Sequence, residues 1–157
     1  MFVSRLSTPI GELTLIASDT ALTGVAFPSW RHRPARARRD TMSEVLGRAK
    51  DQLTEYFTGT RTTFDIPLDA AGSEFERRVW DLLRAIPYGA TTTYGELAKR
   101  LGSTKEARAV GAANGTNPIP IIVPCHRVIG ANGDLTGFGG GIERKRWLLQ
   151  HEGALLL

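Results

Sequence analysis

The sequence predicts an α/β (α+β) chain. A small N-terminal α/β domain is followed by a mostly helical, winged-helix-like C-terminal domain built round a helix-turn-helix. Three observations carry this. Strand-like runs separated by turn residues begin the chain. Ser/Thr-x-x-Glu capping boxes then open at Ser73, Thr93 and Ser103. Gly102 lies between the last two helices, where a left-handed residue is needed.

Phe2 to Leu6, Glu12 to Ala17 and Leu22 to Phe27 read as a β-meander, with turns at Thr8-Pro9-Ile10-Gly11 and Ser18-Asp19-Thr20. Pro28 to Asp40 is a basic loop with arginines at 31, 33, 36, 38 and 39. A solvated loop without a partner and a DNA-contacting segment both fit it. Ser43 to Phe57 is helical, with Val45, Leu46, Ala49, Leu53, Tyr56 and Phe57 on one face and Gly59 at its end. Thr62 to Ile66 is a short strand, and Pro67 to Gly72 a linker. The domains are therefore expected at 1–69 and 73–157.

The Ser73 box opens a helix whose inward face is Phe75, Val79, Leu82, Leu83 and Ile86. The Thr93 box opens Tyr94 to Leu101, and the Ser103 box opens Thr104 to about Asn114. Two short helices joined by a glycine turn form a helix-turn-helix or a plain helical hairpin. Ala107, Ala109, Gly111, Ala112, Ala113 and Gly115 give the second helix a small-residue surface that admits a close neighbour, either another helix or a groove wall. Arg108 is its one long cation. The run Ile119 to Val123 reads as a strand that presents Cys125 at its end. Gly137 to Gly141 lacks a Walker lysine and dinucleotide spacing, so it is not read as a nucleotide loop. A last helix, Ile142 to His151, turns Trp147 and Leu148 inward and ends at Glu152-Gly153.

The chain has 157 residues, 41% hydrophobic and 23% charged, with a net charge of +4. Its pI is about 9.6, which makes nucleic acid a plausible partner. No apolar stretch approaches a membrane span. Met1 to Ile10 lacks the pattern of a secretory signal, so a reducing, cytoplasmic setting is expected.

Cys125 is the only cysteine. It cannot form an internal disulfide or a cysteine-rich metal site. It is either an inert buried thiol or a nucleophile. The adjacent His126 and Arg127 favour the nucleophile, since a nearby base or cation promotes the thiolate. His126 needs an orienting carboxylate, and Glu152, Asp134 and Glu143 are the candidates, with Glu152 preferred.

Five segments carry a resemblance: Tyr94-Gly95-Glu96-Leu97-Ala98, Arg108-Ala109-Val110-Gly111, Asn117-Pro118-Ile119-Pro120, Pro124-Cys125-His126-Arg127-Val128 and His151-Glu152-Gly153. In this order they resemble the signature of the O6-alkylguanine-DNA alkyltransferases, the methylated-DNA–protein-cysteine methyltransferases. The likeness covers Phe75 to Gly153 closely and the first domain more loosely, where the family has a ribonuclease-H-like shape. It implies irreversible, stoichiometric transfer of an alkyl group from O6-alkylguanine, and from O4-methylthymine, in duplex DNA to Cys125.

In that reading His126 acts through a water and Glu152 holds its ring. Asn117 braces the turn. Tyr94 helps rotate the nucleotide out and donates to the base, while Arg108 fills the gap left in the duplex. Thr104, Ala107, Gly111 and Ala112 line the DNA face, in the minor groove. The carbonyls of Cys125 and Val128 read the guanine amine. Val128, Pro120, Phe138 and Gly139 bound the base and alkyl pocket. Many relatives have tyrosine where this chain has Phe138, and some have serine at Gly139. Pro120 implies tolerance of adducts larger than methyl. No cofactor, no metal and no obligate protein partner is implied, and a monomer is expected. A cysteine hydrolase, a non-catalytic binder of alkylated DNA and a simple DNA-binding regulator are the alternatives.

Overall fold

The computed structural model describes residues 1–29, 43–102, 106–135 and 137–155. Most of the arginine-rich segment and the Ser103 box, with Thr104, lie outside the described residues. The chain divides into two compact units, Met1–Ala71 and Gly72–Leu157. Among the described residues no helix is long and apolar enough to cross a membrane.

In the first unit β1 (Phe2–Thr8), β2 (Gly11–Ala17) and β3 (Leu22–Ala26) form an antiparallel sheet in that order. The first hairpin is tight, with Thr8 opposite Gly11 and Gly11 at φ 110°. That φ falls where glycine alone is at ease. α1 (Glu44–Phe57) packs on the sheet through Leu46, Ala49, Leu53 and Tyr56. Their spacing of three and four residues keeps them on one face. Ser43 caps the helix by accepting from the Leu46 amide.

The strand expected at Thr62–Ile66 does not form. Gln52, buried on α1, occupies the backbone it would have used. Its Oε1 accepts from Asp65 N at 2.8 Å and its Nε2 donates to Asp65 O at 3.1 Å. The expected linker at Pro67–Gly72 is also pinned in part. Leu22 N donates to Pro67 O at 2.8 Å and Asp69 N to Leu22 O at 2.9 Å, a parallel bridge onto the start of β3.

The second unit begins with α2 (Glu74–Arg84). Its capping box is complete: Ser73 accepts from Glu76 N while the Glu76 carboxylate accepts from Ser73 N. The buried positions include Val79, Leu83 and Ile86, as expected. Phe75 and Leu82 are only half-buried. Trp80 goes in instead, because its Nε1–H finds Ala113 O on α4 at 2.8 Å. A buried indole donor needs such a partner.

α3 (Tyr94–Arg100) starts after Thr93, which accepts from Glu96 N, and stops at Gly102 with φ 98°. α4 (Ala107–Gly115) packs on both α2 and α3. The two residues before α3 form β4 (Thr92–Thr93), paired in parallel with β5 (Val128–Ile129). That short ladder joins the entry of α3 to the end of the cysteine segment. α5 (Ile142–His151) packs on the same segment, and Gly153 follows at φ 78°. Its inward residues are Lys145, Leu148 and Leu149, whereas Trp147 is half-buried and stacked on His151.

Candidate active site

Cys125 does not stand at the end of a strand. The run before it is a compact buried loop, with a turn at Ile121-Ile122 and a bridge between Pro120 and Val123. Cys125 to Arg127 then form one turn of 3-10 helix. Pro118, Pro120 and Pro124 have no amide hydrogen to give a ladder. Asn117 substitutes for one: its Nδ2 donates to Val123 O at 2.8 Å, and its Oδ1 accepts from Ile119 N at 3.0 Å. The loop holds Ile121 at φ 75° with its side chain buried. A β-branched residue there is strained by about 1–3 kcal/mol, so the surrounding bonds must hold it. Asn117→Ala orphans two buried backbone groups. It is expected to cost about 2–4 kcal/mol in urea denaturation and to slow any reaction of the thiol.

The thiol is 5% exposed, and burial pushes its pKa up to about 11. A side-chain hydrogen bond from Asn117 and the charge of Lys145 oppose that rise without cancelling it. Arg127 is not the cation that acts on the thiol. Its Nε and Nη2 lie 2.7 and 3.0 Å from the two oxygens of Glu152, and Nη1 donates to Ile86 O at 2.7 Å. This bidentate pair is buried, with the Tyr88 ring beneath the guanidinium.

Glu152 also holds His126, whose Nε2 lies 2.8 Å from Oε2. Of the three candidate carboxylates, Glu152 is therefore the one the fold delivers. Glu143 instead pairs with Arg146. The two cationic or donor partners bring the Glu152 carboxyl down to about 2 against the opposing effect of burial. His126 is completely buried, and its pKa is lowered chiefly for that reason. A neutral imidazole that donates from Nε2 carries its lone pair on Nδ1. Nδ1 is buried and has no hydrogen-bond partner among the described residues. It is a base on the same turn as Cys125, but the imidazole and thiol are not directly bonded.

Lys145 and Asn114 join the site although no sequence pattern marks them, and Arg127 joins it through Glu152 and not through the thiol. Lys145 is fully buried on α5 and donates to Val128 O at 2.6 Å. Desolvation pulls its pKa down to about 8, while Cys125 pulls it the other way. Asn114 on α4 donates to Cys125 O at 3.4 Å. The two carbonyls expected to read a base amine thus already accept from side chains. Tyr94 lies close enough to the thiol for the Cys125 charge to raise its pKa, after the larger effect of burial.

Arg108, Ala109, Ala112 and Gly115 are exposed on α4; Ala107 and Gly111 are half-buried, and Ala113 is buried. Of the expected pocket residues, Pro120 and Val128 are buried, Phe138 is half-buried and Gly139 is exposed. Gly137, at φ 70°, is close to Tyr94: a Cβ there would stand 3.5 Å from the hydroxyl. Among the described residues, no group of three His, Cys, Asp or Glu side chains is placed to hold a metal.

A sheet unit is followed by a helical unit that buries a thiol beside a His–Glu–Arg cluster, the arrangement of a protein that works through a cysteine held near a buried base. Comparison with known proteins agrees. Residues 1–70 match the ribonuclease-like domain of 6-O-methylguanine DNA methyltransferase, and residues 74–154 match its DNA binding domain. A methylated-DNA–protein-cysteine methyltransferase of Mycolicibacterium paratuberculosis is 51% identical over 147 residues, 94% of this chain and 89% of the relative. One from Shigella flexneri is 44% identical, covering 98% and 96%. The Mycobacterium tuberculosis OGT crystal structure in complex with DNA superposes with a TM-score of 0.90 at 48% identity, covering 98% of this chain and 94% of that one. The chain belongs to the 6-O-methylguanine DNA methyltransferase family.

Proposed function

We propose that this protein repairs DNA by direct reversal, as a methylated-DNA–protein-cysteine S-methyltransferase. Cys125 takes the alkyl group of O6-alkylguanine in duplex DNA, once per molecule. One observation carries the assignment: a buried thiol backed by the His126–Glu152 pair, in the same unit as a helix with an exposed small-residue face. Family membership supplies the substrate class.

The chemistry follows from the site. The alkyl carbon is sp3, suited to in-line attack by a soft thiolate. His126 Nδ1 takes the thiol proton through a water, and Glu152 stabilises the imidazolium that forms. Sulfur forms a bond to carbon as the carbon–oxygen bond breaks, and that electron pair stays on the purine oxygen. Tyr94 donates a hydrogen bond to the leaving base. The thioether product has no easy hydrolytic route, so the protein is consumed.

The target base is stacked in a duplex and must be flipped out, at a cost of a few kcal/mol. In the proposed complex the C-terminal domain, 73–157, binds DNA. The α4 face of Ala107, Gly111 and Ala112 approaches the minor groove, and Arg108 occupies the space the base leaves. The pocket of Pro120, Val128, Phe138 and Gly139 receives the base; Val128 O retains a second lone pair for the guanine amine. Pro120 leaves an apolar wall that admits adducts larger than methyl. O4-methylthymine is a second substrate. Arg108→Ala is expected to slow transfer from duplex far more than from single-stranded oligonucleotide, since only the duplex has a gap to fill. Equal slowing on both would remove Arg108 from this role. The assignment is tested with labelled O6-methylguanine duplex, from which Cys125→Ala should accept nothing.

A further inference from the structure

The buried residues of α4 are Val110, Ala113 and Asn114, so Asn114 is the one polar side chain this helix turns inward. It sits between the two residues that carry the proposed chemistry. Nδ2 donates to Cys125 O at 3.4 Å. The Tyr94 ring lies across Gly111, one turn earlier on the same helix, where a Cβ would stand 3.8 Å from the ring. Asn114 acts on the phenol to lower its pKa, against the larger rise that burial and Cys125 impose. Asn114 Oδ1, meanwhile, is buried with no hydrogen-bond partner among the described residues. An unsatisfied buried acceptor costs about 1–3 kcal/mol, so the amide is held by what its nitrogen does.

We propose that Asn114 is a positioning residue for Tyr94: its amide donates to the phenol oxygen, turns the phenolic hydrogen toward the leaving purine, and keeps the phenol in step with the Cys125 turn. This rests on the alkyl-transfer reading above. A donor on the phenol oxygen polarises the O–H bond and strengthens its onward hydrogen bond. An acceptor in the same place would draw the hydrogen away from the base. As the carbon–oxygen bond of the substrate breaks, charge accumulates on the purine, and the hydrogen bond from Tyr94 gains strength there. Asn114 touches neither the alkyl carbon nor the sulfur; its effect passes through Tyr94.

The test is a double-mutant cycle on single-turnover methyl transfer from O6-methylguanine duplex. Asn114→Leu should lower the rate constant about tenfold, the worth of one hydrogen bond. In a Tyr94→Phe background the same change should alter the rate less than about twofold, because the group Asn114 acts through is gone. Asn114→Ala should repeat the pattern if the leucine variant folds poorly, with thermal unfolding as the check on both. Alkylation of Cys125 by iodoacetamide, which has no purine to release, should fall by less than methyl transfer does in each folded variant. Losses that multiply in the double variant, or equal slowing with iodoacetamide, would overturn the proposal. Failure of the unsubstituted protein to accept methyl at all would instead overturn the alkyl-transfer reading.

Discussion

Replacing Glu152 with alanine is expected to destabilise the second unit by about 3–5 kcal/mol, the cost of stranding a buried charge by removing its partner. Glu152 answers Arg127 through both oxygens and His126 through one. Its loss leaves a buried guanidinium without its counter-charge. Acid should produce the same failure in the unsubstituted protein. The Glu152 carboxyl sits at about 2 in the fold against an ordinary 4.5. A depressed carboxyl stabilises above its unfolded value and loses that contribution as pH falls toward its folded value. His126 is lowered from 6.5, so below that pH the unfolded imidazole takes a proton that the folded one refuses. Stability should therefore decline gently below about 6.5 and steeply below about 4.5. Urea midpoints measured across that range should show both steps, and Glu152→Ala should lack the steeper one. A loss under about 1 kcal/mol, typical of an exposed pair, would show that the cluster does not hold the unit together.

Replacing His126 with leucine is expected to slow alkyl transfer on the order of 10²–10⁴-fold, the usual worth of a positioned base. The reason lies in the thiol. With Cys125 raised to about 11, almost none of it is thiolate at neutral pH. Burial therefore protects the sulfur until a base takes its proton. Without His126 the rate should climb about tenfold per pH unit between pH 7 and 9, following the thiolate fraction. With His126 present and neutral, the profile should be much flatter over that range. A leucine variant that keeps the original rate and profile would mean that some other group deprotonates Cys125. Because the leucine also leaves Glu152 short of a donor, rates should be compared at pH 7 and above, where the fold is under least strain.

How far the sequence revealed all this depended on whether the signal was local. Capping is local, and the Ser73 box formed with both of its hydrogen bonds. Glu152 stands at the end of the last predicted helix, and the fold brings that end to His126. The errors were tertiary. Thr62–Ile66 has strand-like residues, but Gln52 competes for its backbone from another element. Ile119–Val123 is apolar enough for a strand, yet its prolines and Asn117 impose a loop. Lysine and asparagine on a helix read as surface residues, so nothing local marks Lys145 or Asn114. Their burial shows only once the carbonyls they serve, Val128 and Cys125, are placed beside them. Adjacency in sequence points Arg127 at the thiol, whereas its side chain reaches away to Glu152 and Ile86. Successive side chains need not share a partner.

The central claim is that Cys125 is a reagent spent on alkylated guanine, and stoichiometry tests it most directly. Purified protein would be incubated with an excess of duplex carrying methyl-labelled O6-methylguanine, then digested and its peptides weighed. The account predicts that label incorporation stops at one methyl group per protein molecule, that all of it lies on the Cys125 peptide, and that unmodified guanine appears in the DNA in equal amount. Label release continuing beyond one equivalent, or label on any other residue, would contradict it.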